Sequence, residues 1–385
     1  SVDREYYYNN AGRQMRILGE SVRARYLEIQ KTDYEFPEGG YEGEYIYDIA
    51  NNLSNEFGNS LIDNKTIFKD TAEEYIFKNI TKTLEQINIT FDYFFNENTL
   101  YENKDIYTVI DRLRDKGLIY DKDDATWFHG TKVGRENDRV LIKSSGEPTY
   151  RLPDMAYHIK KIERGYDLCI DIFGADHMDA YPDVIEVVNQ LGYDASKIKV
   201  VIHQFISILN QGKQVKMSTR KATYITLDEL IKEVGSDVVR YFFIMRGVNS
   251  HLNFDLEIAK EKSEKNPIFY IQYAYARIMT ILSKNDLPLN DYDLSLLNQE
   301  DEIKLIYKLI EFKEIIIKIS RDMEPQILAT YLLELASMFH KYYAKNRVIN
   351  DNEELSKSRL VFIKSVSIVI KNGLKILGVS APKKM

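Results

Sequence analysis

Lys216-Met217-Ser218-Thr219-Arg220, with Lys213 just before it and Lys221 just after, gathers cations and hydroxyl donors on one short connection. Gln211-Gly212 supplies a turn ahead of it. Lysines, an arginine and hydroxyls held in place beforehand stabilise charge that develops on phosphoryl oxygens, so the cluster suits a phosphate chain. A solvated loop uses the same residue types. The surrounding segments therefore have to decide between the two.

Other residues able to do chemistry are few. Asp154 follows Tyr150 by one helical turn, and Asp176-His177 stands at the end of an apolar run. The six histidines, His129, His158, His177, His203, His251 and His340, lack the spacing of a helix-borne metal pair. Cys169 is the only cysteine, which excludes an internal disulfide and a cysteine-ligated zinc. No metal site is expected.

Composition narrows the class. The chain has 385 residues, 44% apolar and 29% charged, enough for two or three cores. A net charge of −7 argues against a protein that grips nucleic acid over its whole surface. Residues 265 to 385 carry 18 Lys and Arg against 14 Asp and Glu, which leaves 34 against 45 for residues 1 to 264. A mildly basic carboxyl-terminal part on an acidic body permits local contact with a polyanion. No run approaches the roughly 20 apolar residues that span a bilayer, and no basic-then-apolar leader opens the chain, so a cytoplasmic protein is expected.

The elements that must position these residues follow from periodicity. The spacing predicts a strand over 3–8, a helix over 13–30, and a mostly helical, acidic and aromatic insertion over 44–116, with helices at 45–57, 71–86 and 104–116. Strands are expected at 127–131 and 140–144. A βαβ reading comes next: a helix from Thr149 to Arg164, a strand from Leu168 to Phe173, a helix from Pro182 to Leu191, and a strand from Lys199 to Leu209. Ligands of open parallel sheets bind at the carboxyl ends of strands, which places Asp176, His177 and the Lys216 connection at one edge, with Asp154 near. A helix pair is predicted over 226–243. Beyond Asn266-Pro267 the apolar spacing is helical throughout, over 270–282, 302–319, 325–343 and 352–377, as in an antiparallel bundle.

Several segments in this order resemble the class I arginyl-tRNA synthetases from end to end: Glu5-Tyr6-Tyr7-Tyr8-Asn9-Asn10-Ala11-Gly12, Pro37-Glu38-Gly39-Gly40-Tyr41, Thr149 to His158, Gly174-Ala175-Asp176-His177, Val215 to Arg220, and Asn266-Pro267-Ile268-Phe269-Tyr270. The resemblance implies an α/β fold: a Rossmann-type parallel-sheet catalytic domain over 1–264, incomplete at its first βα unit and carrying the helical insertion at about 44–116. An all-α anticodon-binding domain follows over 265–385. It implies ATP-dependent activation of L-arginine and transfer to tRNA(Arg), with Mg2+ accompanying the nucleotide, and neither DNA nor membrane as partner.

By the same resemblance, Lys216 and Ser218 match the family's mobile Lys-Met-Ser-Lys-Ser signature. Thr219 stands where the second lysine is expected, so Arg220 or Lys221 has to supply that cation. Gly174, Asp176, Lys216, Met217 and Ser218 are then ATP-binding. Tyr150, Asp154, Asp176 and His177 face the arginine, the aspartate of the Tyr-x-x-x-Asp element meeting a guanidinium whose planar fork of donors suits a carboxylate. Phe339, Tyr343 and Met385 correspond to anticodon-loop contacts.

The family's His-x-Gly-His signature has no counterpart in these residues; His129-Gly130 is followed by Thr131. With Ser1 opening directly into a strand, the expectation is a fragment of an active synthetase that works with its missing amino-terminal part. The alternative is a shortened paralogue that binds tRNA or arginine without catalysis. A sheet lacking its first strand is also expected to expose an edge and apolar surface.

Overall fold

The computed structural model describes residues 1–215 and 225–385, which form two compact units, Ser1–Lys82 with Thr90–Phe205, and Thr83–Ile89 with the described residues from Ile206 to Met385.

The first unit runs β1 (Glu5–Tyr8), α1 (Gly12–Ile29), α2 (Glu44–Phe57), α3 (Ile67–Gln86, its last turn belonging to the other unit), β2 (Tyr93–Asn96), α4 (Asn98–Glu102) and α5 (Asp105–Asp115). It continues with β3 (Ile119–Lys122), β4 (Ala125–Phe128), β5 (Arg139–Ile142), α6 (Arg151–Glu163), β6 (Cys169–Gly174), α7 (Tyr181–Gln190) and β7 (Ile198–His203). β1 pairs in parallel with β2, and β6 with β7. β3, β4 and β5 make an antiparallel meander. Asp123 and Asp124 turn the first hairpin at φ of 52° and 56°, the left-handed pair that matches strand twist.

The parallel pairing is as expected, but two sequence expectations fail here. Residues 93–96 lie inside the stretch read as a helical insertion and are a strand, β2, of the parallel ladder. Tyr7 and Phe95 stack across that ladder with centroids 6.0 Å apart, and Tyr6 meets Phe91 edge-on at 5.2 Å. Cross-strand aromatic packing of this kind holds a short strand that helical periodicity upstream conceals. The single strand expected over 199–209 is two strands, broken at Gln204-Phe205, where neither glycine nor proline announces the break.

Two cores fill this unit. Leu18, Val22 and Tyr26 of α1 pack on Ile46, Ile49 and Leu53 of α2, each at helical spacing. Leu152, Met155, Ala156 and Ile159 of α6 pack on Val184, Val187 and Val188 of α7. β1 and β6 flank a cavity of about 140 Å³, and in β6 Ile170 and Ile172 are 50% and 72% exposed.

The second unit runs β8 (Ile206–Asn210), β9 (Lys213–Gln214), α8 (Leu227–Val234), α9 (Ser236–Ile244), β10 (Leu252–Asp255) and α10 (Leu256–Lys260). Its larger helices are α11 (Pro267–Ser283), α12 (Glu300–Ile310), α13 (Phe312–Asp322), α14 (Gln326–Lys345) and α15 (Glu353–Leu377). The one helix expected over 302–319 is therefore split at Glu311. β8 pairs in parallel with β10 and antiparallel with β9. The division by packing falls at Phe205/Ile206 rather than after residue 264, because Val239, Phe242 and Phe254 share one core with Ile271, Leu332 and Ile363 of the bundle.

Gly373 lets α15 approach α14. A Cβ there would stand 2.6 Å and 2.9 Å from the two δ-methyls of Leu332, which is fully buried. Gly373→Ala is therefore expected to destabilise the unit by about 1–3 kcal/mol through overpacking, despite alanine's better helix propensity. Urea unfolding of the two proteins measures this.

Candidate functional site

The site grows from the start of α6. Its N-terminal turn is fixed from α7, where the buried Asp183 carboxylate takes Arg135 at 3.0 Å, Arg139 at 3.2 Å and Arg151 at 3.4 Å. The Arg151 guanidinium also lies over the Tyr150 ring, 4.9 Å from its centroid. Tyr150 itself is 57% exposed. One turn on, Asp154 turns inward, and its carboxylate has no hydrogen-bond or ion-pair partner among the described residues.

Burial pushes the Asp154 carboxyl up to about 6; His158 and His177 oppose the rise, and the negative charge of Glu97 adds to it. A helix N-terminus ordinarily favours a carboxylate. Here desolvation wins. A largely desolvated carboxyl that is costly to ionise and has no cation in direct contact is set up to accept one from a ligand.

Glu97 follows directly on β2. Tyr7 Oη donates to its Oε2 at 2.7 Å and Asn9 Nδ2 to its Oε1 at 2.8 Å, so β1 orients it. Burial, the hydrogen bond to Glu97 and its charge raise the Tyr7 hydroxyl. Burial and the same carboxylate lift Tyr101 to about 12, and Asp154 contributes to both. Both phenols thus stay protonated beside Glu97. Sequence reasoning missed Glu97, Tyr7 and Asn9. The available signal was an acidic residue at the carboxyl end of a short aromatic strand, the position where parallel sheets bind ligands.

Beneath Asp154 the same helix is ionic. His158 Nδ1 meets the Asp154 carbonyl at 2.7 Å and its Nε2 meets Asp171 at 3.0 Å, while Lys161 pairs with the other Asp171 oxygen. Burial alone would raise Asp171; the His158 hydrogen bond and the Lys161 charge outweigh it and hold the carboxyl at about 2. Tyr157 and Arg164 both bind Glu5 of β1. α6 is thereby fastened to both parallel pairs, and Asp154 has little freedom to move.

At the end of β6, His177 stacks on Phe173 at 5.2 Å with 18° between the planes. A Cβ at Gly174 would lie 2.6 Å from Asp176 Oδ1, so a side chain there would displace the exposed Asp176 carboxylate. Asp176 is exposed, 3.9 Å from His177. Glu97 and His177 both act on the charge of Asp154, and Tyr150 opens α6 one turn before it. Asp176 adjoins His177 from the surface side. Lys216, Met217, Ser218, Arg220 and Lys221 lie outside the described residues.

In the second unit, Phe339 is fully buried, stacked 6.0 Å from Tyr343, so it supports the wall and offers no face to a nucleic acid. That corrects the expectation for Phe339; an aromatic pair at i, i+4 put one ring in the core. Tyr343 carries Arg277 over its ring at 5.2 Å and borders a concavity of about 530 Å³ with Lys284, Lys345 and Arg347. Met385 is 54% exposed. No helix among the described residues is long and apolar enough to cross a membrane.

Residues 31–241 match the family described as tRNA synthetases class I (R), catalytic domain, and residues 271–385 the DALR anticodon binding domain. Over its whole length the chain is 51% identical to the arginine–tRNA ligase of Desulfotalea psychrophila, of which it spans 71%. The chain belongs to the arginine–tRNA ligase family. A second arginine–tRNA ligase, from Chlorobaculum tepidum, is 50% identical, and the chain spans 72% of it. The fold superposes on the crystal structure of a Campylobacter jejuni protein described as an arginyl-tRNA synthetase, with a TM-score of 0.91 and 30% identity, covering all of this chain and 85% of that one. Members of this family attach arginine to tRNA with ATP as substrate. The α/β catalytic part and the helical anticodon-binding part expected from the sequence are both present.

Proposed function

We propose that this chain provides the arginine pocket, the phosphate-handling loop and the anticodon-reading bundle of an enzyme that activates L-arginine with ATP and transfers it to tRNA(Arg). The observation that carries the reading is the largely desolvated Asp154 carboxylate, without a direct partner among the described residues and within the electrostatic reach of Glu97. A guanidinium placed between them donates to both, relieves their mutual repulsion and repays the desolvation of Asp154. Tyr150 shapes the entrance and His177 the far side.

The substrate carboxylate then attacks the α-phosphorus of ATP in line, and pyrophosphate leaves with the electron pair of the broken P–O bond. A terminal ribose hydroxyl of tRNA next attacks the adenylate carbonyl, releasing AMP. Neither step forms a covalent enzyme intermediate, so positioning and charge stabilisation are what the protein supplies. Lys216, Ser218 and Arg220 or Lys221 are the groups suited to the phosphates, with Gly174, Asp176 and Met217 toward the nucleotide. No group of three or more His, Cys, Asp or Glu among the described residues could hold a metal. Mg2+ would accompany the nucleotide as a counter-ion on the ATP phosphates. Tyr343 and Met385 face tRNA in this reading.

These 385 residues contain no His-x-Gly-His segment, whose imidazoles the family resemblance places on the ATP phosphates. The chain on its own is therefore expected to give no arginine-dependent exchange of pyrophosphate into ATP, with or without tRNA. Radiolabelled exchange is the measurement, and robust turnover by the isolated chain contradicts the expectation. Arginine binding without exchange, restored by adding the amino-terminal part of a relative, separates a synthetase fragment from a binding-only paralogue.

A further inference from the structure

A second concavity in the first unit, of about 690 Å³, is basic. It lies on α1 and the start of α3, lined by Arg16, Arg23, Lys65 and Lys69 against Glu20 and Asp70. Four cations facing two carboxylates stand out on a chain whose net charge is −7. Two of the cations are held in place. Arg23 donates from Nε to the Asn64 carbonyl at 3.2 Å and from a terminal nitrogen to the Ile62 carbonyl at 3.0 Å. Lys69 Nζ lies 3.4 Å from the Asn10 carbonyl and 3.7 Å from Asp70. Arg16 and Lys65 are exposed and have no hydrogen-bond or ion-pair partner among the described residues.

Gly19 makes the arrangement possible. A Cβ there would stand 2.9 Å from Lys69 Cβ and 3.1 Å from its Cα, so only glycine lets α3 begin against the middle of α1. That contact brings Lys65 and Lys69 beside Arg16 and Arg23. Asn64 Oδ1 already accepts from the amides of Thr66 and Ile67, at 2.9 Å and 3.1 Å, so side-chain cations rather than helix N–H groups are the donors available.

A compact polyphosphate calls for convergent donors, commonly a nest of backbone amides. Separate point cations on a broad concavity, two anchored and two with free heads, instead match phosphates spaced along a chain. We propose that this concavity seats the sugar-phosphate backbone of an RNA. The site is distinct from the aromatic and basic surface of the bundle, and it rests on the reading above for which RNA is involved, namely tRNA(Arg). Such contacts position the RNA and carry no sequence information.

The test uses the 385-residue chain, a paired charge reversal, Arg16→Glu with Lys65→Glu, and the neutral pair Arg16→Gln with Lys65→Gln. Fluorescence anisotropy measures binding of a tRNA(Arg) transcript and of an unrelated RNA hairpin over a range of salt, with thermal melts confirming that both variants fold. The expected result is roughly tenfold weaker binding or worse on reversal, an intermediate loss for the neutral pair, and a salt slope reduced by about 2 for two lost phosphate contacts. Both RNAs lose affinity alike. Unchanged affinity and slope for both overturns the proposal. Loss on both RNAs without wild-type preference for tRNA(Arg) upholds the docking site while counting against the tRNA(Arg) reading. Tight binding of tripolyphosphate alone that the variants abolish, with RNA binding intact, overturns it in favour of a small-anion site.

Discussion

Asp154→Asn is expected to weaken L-arginine binding about 100-fold or more and, in the same protein, to raise the unfolding midpoint at neutral pH. The first effect follows from removing one charged partner of a desolvated pair, about 3 kcal/mol or more. The second follows from what ionising Asp154 costs when no ligand is present. Its carboxyl is held near 6 in the fold against an ordinary 3.8. The folded state therefore binds that proton more tightly than the unfolded state does. The corresponding stabilisation is complete at acid pH, below 3.8, and is lost as pH rises through 6, up to about 3 kcal/mol. A neutral amide of the same shape avoids that loss. Calorimetric titration and thermal melts of the same two proteins report both quantities. An asparagine variant that binds arginine normally contradicts the site assignment. One that is less stable at neutral pH contradicts its electrostatic basis.

A comparably large effect is expected in the bundle. Glu302 is fully buried, accepting from Arg359 Nε at 2.9 Å and from Tyr342 Oη at 3.1 Å, while its other oxygen takes the Gln299 amide at 3.1 Å. Arg359 also donates to the Arg347 carbonyl at 2.8 Å, which ties α15 to the loop before it. Arg359→Met leaves an uncompensated carboxylate in the core and is expected to cost about 3–5 kcal/mol. Adding Glu302→Leu removes the stranded charge, so the double variant recovers much of the loss, in urea unfolding at neutral pH. Equal instability of the single and double variants means the pair acts through packing instead. Arg347 borders the Tyr343 concavity, so the single variant is also expected to weaken RNA binding by the bundle.

Much of this was legible in the sequence. Helical spacing gave α1, α2, α5, α11, α14 and α15 to within a few residues, because each buries one stripe on a neighbour, and merged α12 with α13. The Tyr150 to Asp154 turn and Asp176-His177 were visible as motifs. The rest depended on contacts that no local pattern records. Tyr93, Phe94 and Phe95 form a strand only because Tyr6 and Tyr7 lie beside them, and Glu97 becomes a site residue only at the end of that strand. Asp154 and Asp171 share a helix-strand neighbourhood yet titrate in opposite directions, one buried without a cation and the other buried between His158 and Lys161. Phe339 corresponds by resemblance to an anticodon-loop contact, while its i, i+4 spacing with Tyr343 already fits the core place it holds. The Gly19 contact, which assembles the basic concavity, is invisible until Lys69 is seen against it.

Titrating L-arginine and its uncharged isostere L-citrulline into the chain, from below to above the Asp154 value of about 6, tests the guanidinium pocket most directly. A proton on Asp154 competes with the ligand cation. Arginine affinity is therefore predicted to fall as pH drops through that value, while citrulline binds weakly at every pH. Equal binding of the two ligands, or an arginine affinity that is flat across pH 6, contradicts a guanidinium seat at Asp154 and Glu97.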